Sequence, residues 1–147
     1  RKGYLFYSDN FSLIQNTTDS FFTVDIPLQP IEPGAAIVLK NIFFDVNKYD
    51  LKPASISELD KVVLLLNDNP KLHIQISGHT DNVGQRAVNL QLSNNRAKSV
   101  TQYLISKGIQ AGRLIAKGYG DTKPLASNDT ESGKSLNRRT ELNVVSN

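Results

Sequence analysis

Asp81 and Arg96 are the residues of this chain whose types and placement best suggest chemistry. Asp81 stands in the polar loop Gly78-His79-Thr80-Asp81-Asn82-Val83-Gly84, and Arg96 follows in the next helical stretch. A carboxylate only accepts hydrogen bonds and is the natural partner of an ammonium. A guanidinium meets a carboxylate with two parallel N–H donors, and sheltered charge-assisted bonds contribute roughly 1.5–3 kcal/mol each. At opposite poles of one pocket, the pair would take a zwitterion. The same two side chains can instead clasp each other, with Asp81 also capping the helix. Spacing alone leaves both readings open.

Two elements must position them. Leu72, Ile74 and Ile76 alternate, which predicts a strand over 71–77 running into the loop. A helix over about 86–107 places Leu90, Ala97, Val100 and Leu104 on one stripe, with Gly108 as its C-terminal cap. Asn89 and Arg96, seven residues apart, lie on nearly the same face of that helix. Arg96 also borders the buried stripe, so its stem can pack while its head reaches the loop.

The other elements follow from pattern. Ile37, Val38, Leu39, Ile42 and Phe43 predict an apolar strand, followed by the polar loop Asp45–Asp50. Pro53 suits a helix's first turn, and Ile56, Leu59, Val63 and Leu66 mark an amphipathic helix over 54–67. Strands are predicted at Arg113–Lys117 and Thr140–Val145, separated by a turn-rich stretch with one helical turn near 131–136. The order β-α-β-α-β-(loop)-β implies a two-layer α/β sandwich with both helices on one face. Residues 1–34 read as short strands: Tyr4, Phe6 and Phe11, Leu13 alternate on either side of a Ser8-Asp9-Asn10 turn. A turn at Asn16–Ser20 and an extended run at Phe21–Leu28 follow, before Pro27, Pro30, Pro33 and Gly34 mark a linker. The expectation is a β-rich tail of a preceding domain over 1–34 and one domain over 35–147. The chain opens Arg1-Lys2-Gly3-Tyr4 and has no methionine, which reads as a fragment or processed product.

Composition narrows the function classes. Without cysteine there is no disulfide framework or thiolate metal site. Seventeen basic against 14 acidic residues, with no basic run, is too mild a balance to argue for nucleic acid. No apolar run approaches the roughly 18–20 residues of a membrane-spanning helix. His79 has no companion His, Cys or carboxylate cluster and reads as a structural histidine; His73 reads as surface. Asp121, Asp129 and Glu131 read as a solvated turn rather than a calcium site, and Tyr119 as packing for its loop. No cofactor or metal is expected.

Five blocks in order carry a resemblance: Phe43-Phe44-Asp45 with Leu51; Gly78-His79-Thr80-Asp81; Asn89, Leu92-Ser93 and Arg96-Ala97; Gly118-Tyr119-Gly120; and Asn137-Arg138-Arg139-Thr140. Together, over roughly 37–146, they resemble the OmpA C-terminal domain family, which includes peptidoglycan-associated lipoproteins and the periplasmic parts of flagellar stator proteins. The resemblance implies a mixed sheet and non-covalent binding of peptidoglycan through diaminopimelate in its stem peptide, in the periplasm of a Gram-negative bacterium. It assigns the ligand's ammonium to Asp81 and its carboxylate to Arg96. Asn47, Thr80, Asn89 and Arg138 match positions that line the pocket or bond the peptide, and Asp45 forms the opposite wall. Val83 departs from relatives that carry a hydroxyl or a charge there, which changes a contact while keeping its backbone N–H. Two rivals stand beside this reading: a peptidoglycan hydrolase using Asp81 with His79, and a protein-interaction adaptor without wall binding.

Overall fold

The central strand shows why the chain folds as two layers. In β2 (His73–His79), Ile74 and Ile76 are fully buried while His73 and Gln75 on the other face are only half-buried. The computed structural model of the chain describes residues 3–9, 26 and 28–147. Within them, β1 (Ala36–Val38), α1 (Ile56–Asp68), β2, α2 (Arg86–Ser106), β3 (Leu114–Gly120), α3 (Glu131–Asn137) and β4 (Thr140–Ser146) follow in that order. The sheet runs β1-β4-β2-β3. β2 and β3 are parallel, as a strand–helix–strand crossover requires, and β4 lies antiparallel between β1 and β2.

Both long helices cover the face that carries Ile74, Ile76, Leu142 and Val144. α1 contributes Leu59, Val62, Leu65 and Leu66, and α2 contributes Ala97, Val100 and Leu104. Fully burying one such aliphatic side chain stabilises by about 1.5–3 kcal/mol. α1 is preceded by a tight turn at Pro53–Ser55. α2 ends as its sequence predicts: Gly108 has φ +92°, its N–H bonds Ile105 O (2.9 Å), and Ile109 N bonds Leu104 O (3.2 Å). That is a Schellman closure, with Leu104 and Ile109 both buried beneath it.

Three expectations are corrected. The first strand ends at Val38, not Phe43. Beyond it, side chains take the backbone donors: Lys40 N bonds Ser8 Oγ (3.0 Å), and Phe43 N bonds the buried Ser55 Oγ (2.8 Å). This pulls 41–44 away from the sheet toward the start of α1. Leu90 does not belong to the buried stripe of α2, being 48 % exposed, while Asn89 and Ser93 are buried in its stead. The cause is a backbone-to-backbone seam. A Cβ on Gly78 would meet the Ser93 carbonyl, and one on Gly118 would meet Asn94 N, so no leucine fits there. Ser93 Oγ instead accepts from Gly120 N (2.9 Å). The single helical turn expected near 131–136 is a seven-residue helix, Glu131–Asn137, capped by Thr130 Oγ1 accepting from Gly133 N (3.0 Å).

Before β1, the described residues make an isolated bridge, Tyr4 to Pro30, rather than strands. Leu5 N bonds Gln29 O (2.8 Å), and Leu5 and Ile31 enter the main core. The predicted strand at Phe11–Leu13, the turn at Asn16–Ser20 and most of the run at Phe21–Leu28 lie outside the described residues.

Candidate functional site

All seven residues singled out from the sequence line one cavity of about 540 Å³: Asp45, Asn47, Thr80, Asp81, Asn89, Arg96 and Arg138. The strand-to-helix loop forms one wall. Asp81 is buried; its Oδ1 accepts from Val83 N (3.0 Å), an Asx-type turn that fixes the carboxylate's direction. Thr80 Oγ1 donates to Asp81 O (2.8 Å), and Asn89 Nδ2 reaches back from α2 to Val83 O (3.0 Å). Asp81 does not cap α2: the cap position is Gln85, with no side-chain bond.

The opposite wall is the turn 45–48. Asn47 has φ +58°, a left-handed conformation that Asn tolerates better than most residues. This bend closes Lys48 N onto Asp45 O (3.1 Å) and turns two carbonyls toward α2. Arg96 takes both, Nε to Lys48 O (3.0 Å) and Nη2 to Asp45 O (3.2 Å), with its guanidinium carbon 4.9 Å from the Phe44 ring centroid. The head of Arg96 therefore reaches the 45–48 turn, not the 78–84 loop. The Asp45 carboxylate points elsewhere, to Lys52 at 2.6 Å and Lys48 at 3.7 Å, and the Lys52 bond pulls its pKa down.

Asp81 and Arg96 do not clasp each other. Asp81 Oδ2 accepts from Arg138 Nη1 (2.7 Å), and Arg138 Nη2 bonds Glu131 Oε1 (2.7 Å). These bonds, Asp81 first, raise the Arg138 pKa. Arg96, half-buried, has its pKa lowered chiefly by burial and then by repulsion from Arg138, with Asp81 acting the other way. Two guanidiniums thus share the cavity, and the direct polar and ring contacts of Arg96 are to backbone carbonyls and an aromatic face among the described residues. The arrangement leaves a place for a carboxylate between the cations, beside an acceptor for an ammonium at Asp81.

Glu131 and Lys134 also line the cavity, which the expectation of a solvated turn at Glu131 does not anticipate. The signal that would have found them is the Thr130 cap. It starts a helix whose positions 131, 134 and 138 fall on one side. Arg139 ties the sheet, bonding Glu141 Oε1 (2.7 Å) and Lys123 O (3.1 Å). Among the described residues, no group of three or more His, Cys, Asp and Glu side chains could hold a metal ion, and no helix is long and apolar enough to cross a membrane.

A mixed four-stranded sheet with helices on one face and this cavity at its edge define the class: residues 43–138 match the OmpA family, and the chain belongs to it. Among individual relatives, the probable lipoprotein YiaD of Escherichia coli is 39 % identical over 104 residues, covering 71 % of this chain and 48 % of that protein. The peptidoglycan-binding protein ArfA of Mycobacterium bovis is 37 % identical over 103 residues, covering 70 % of this chain and 32 % of that one. The crystal structure of the peptidoglycan-associated lipoprotein from Burkholderia pseudomallei superposes with a TM-score of 0.65 at 30 % identity, covering 70 % of this chain and 87 % of that one. The match thus spans about a third to a half of these two curated relatives' length.

Proposed function

We propose that the cavity binds peptidoglycan non-covalently through the diaminopimelate residue of its stem peptide. In this reading residues 35–147 are the binding unit, and they tether an outer membrane or outer-membrane protein to the wall in the periplasm of a Gram-negative bacterium. The observation that carries the reading is Arg96: a half-buried cation, held by two backbone carbonyls, repelled by a second guanidinium and in no ion pair with an acid among the described residues. Such a cation is arranged for a carboxylate from outside the chain. Asp81, which still has lone pairs free beside its bond to Arg138, takes the ligand's ammonium. The names of ArfA and of the peptidoglycan-associated lipoprotein support the same ligand class. Many copies of a modest contact of this kind would hold by multivalency.

Co-sedimentation with insoluble sacculi tests the reading. The parent chain is expected to pellet, and Asp81→Ala to stay in the supernatant with an unchanged circular-dichroism spectrum. Free diaminopimelate should release the parent protein, while lysine, which lacks the second carboxylate, should do so poorly. Equal release by both would remove the carboxylate role from Arg96. Cleavage products from labelled muropeptides would replace the reading with a hydrolase, and a folded parent that never pellets would replace it with an adaptor.

A further inference from the structure

The sheet face turned away from α1 and α2 is mostly polar, with Gln75 and Ser77 on β2, Lys117 and Tyr119 on β3, and Glu141 and Asn143 on β4. At one end it dips into a cavity of about 250 Å³ whose lining includes His79, Tyr119, Lys123, Arg139 and Glu141. Tyr119 organises this corner. Its ring stacks on His79, with centroids 5.3 Å apart and planes 12° apart. Lys123 Nζ lies 4.2 Å and Lys117 Nζ 5.0 Å from the same ring's centroid.

The charges do not cancel. The cavity's carboxylate, Glu141, is taken by Arg139 at 2.7 Å. Neither lysine has an acidic partner among the described residues. His79 is 2 % exposed and lines the cavity, yet neither ring nitrogen has a hydrogen-bond partner. Its nearest acid oxygen, Glu141 Oε2, stands 3.5 Å from Nε2, a long contact that lowers the Glu141 pKa yet falls short of a well-formed hydrogen bond. Buried polar groups are nearly always satisfied, so an unpartnered ring here has spare donor capacity. The Tyr119 hydroxyl accepts from Gln75 Nε2 (3.3 Å), leaving its own proton to donate. That bond and then the two lysines lower the phenol's pKa, so the surroundings already favour a negatively charged oxygen.

We propose that this corner is a binding site separate from the Asp81–Arg96 cavity, and that it takes a phosphate group on Lys117, Lys123 and the Tyr119 hydroxyl, with His79 beneath. A planar carboxylate is the poorer match. The guanidinium that would fork onto it, Arg139, is only 6 % exposed and is committed to Glu141, Lys123 O and Asn137 O. Two compact ammoniums gathered on the Tyr119 ring beside its hydroxyl offer single-point donors instead, which suit a tetrahedral oxyanion better than a planar carboxylate.

The test is a titration of the ¹⁵N-labelled chain with inorganic phosphate at constant ionic strength, followed by amide shifts. Saturable shifts are expected at Tyr119, Gly120 and Lys123. The Lys117→Gln/Lys123→Gln double variant should lose at least tenfold in affinity, and Tyr119→Phe severalfold, with both still pelleting with sacculi. Acetate at the same concentration should shift these amides far less. Flotation with phosphatidylglycerol and phosphatidylcholine vesicles separates the sources. Capture by the first alone, reversed by free phosphate, supports a lipid headgroup, and no capture with saturable phosphate shifts supports a soluble phosphate. Non-saturating shifts, equal shifts with acetate, or an unchanged affinity in the double variant would overturn the proposal.

Discussion

Replacing Arg96 tests whether the cavity is built for a carboxylate. A guanidinium has five N–H donors. Two are spent on Lys48 O and Asp45 O, so three remain for a ligand. A bound carboxylate would use two of them, worth roughly 1.5–3 kcal/mol each if fully sheltered. Arg96 is only half-buried and Arg138 shares the anion, so about 2–3 kcal/mol in total is the reasonable figure. Arg96→Ala is therefore expected to weaken diaminopimelate binding by about 30- to 150-fold at 25 °C. Arg96→Lys should lose about tenfold, because one ammonium cannot hold both carbonyls and present a two-pronged face as well. Isothermal titration gives the affinities, and thermal unfolding separates them from stability. The lost carbonyl bonds should cost about 1–2 kcal/mol, a few degrees in Tm for a domain this size. An Arg96→Ala protein that binds diaminopimelate within threefold of the parent would refute the reasoning.

Three further outcomes follow from the same structure. Asn47→Gly should keep ligand affinity, whereas Asn47→Val, forced to φ +58°, should cost about 1–3 kcal/mol and loosen the turn that holds Arg96, read by titration and unfolding together. Gly118→Ala, whose new methyl would meet the backbone of Asn94, should destabilise by about 2 kcal/mol or more in urea unfolding; an unchanged midpoint would mean that α2 can retreat from the sheet. The Glu141 carboxyl, held at about 2 instead of 4.5 chiefly by His79 and also by Arg139, has its lower pKa in the folded state. Its stabilisation is complete above about pH 4.5 and lost as the pH falls toward 2, about 3 kcal/mol in all, so Glu141→Gln should flatten the acid limb of a Tm–pH curve.

How much of this was legible depends on the reach of each interaction. The strand, loop and helix around Asp81 are written locally, in the alternation of Leu72, Ile74 and Ile76 and in the helical spacing that ends at Gly108. Their observed bounds differ from the expected ones by only a residue or two. Leu90 misled because apolar periodicity cannot show that Gly78 and Gly118, on two different strands, draw the helix backbone in too close for a large side chain. The first strand was read too long because Ser8 and Ser55, distant in sequence, take donors that a strand would have used. At the site, residue types announced an acid and a base, but not that Asp81 would pair with Arg138, 57 positions away, and leave Arg96 to the carbonyls of a turn. Spacing along one helix carries no record of that choice.

The strand order has a consequence for how the molecule comes into being. β4, the last strand in the sequence, lies inside the sheet, bonded to β1 on one side and β2 on the other. Until residues 140–146 arrive, β1 has no neighbour and the apolar edge of β2 stays uncovered. A polypeptide emerging N-terminus first therefore cannot complete its sheet early. It stays threadable through a narrow conduit until residues 140–146 have emerged, and a product truncated before Thr140 would expose sticky, unpaired strands to proteases and to other chains.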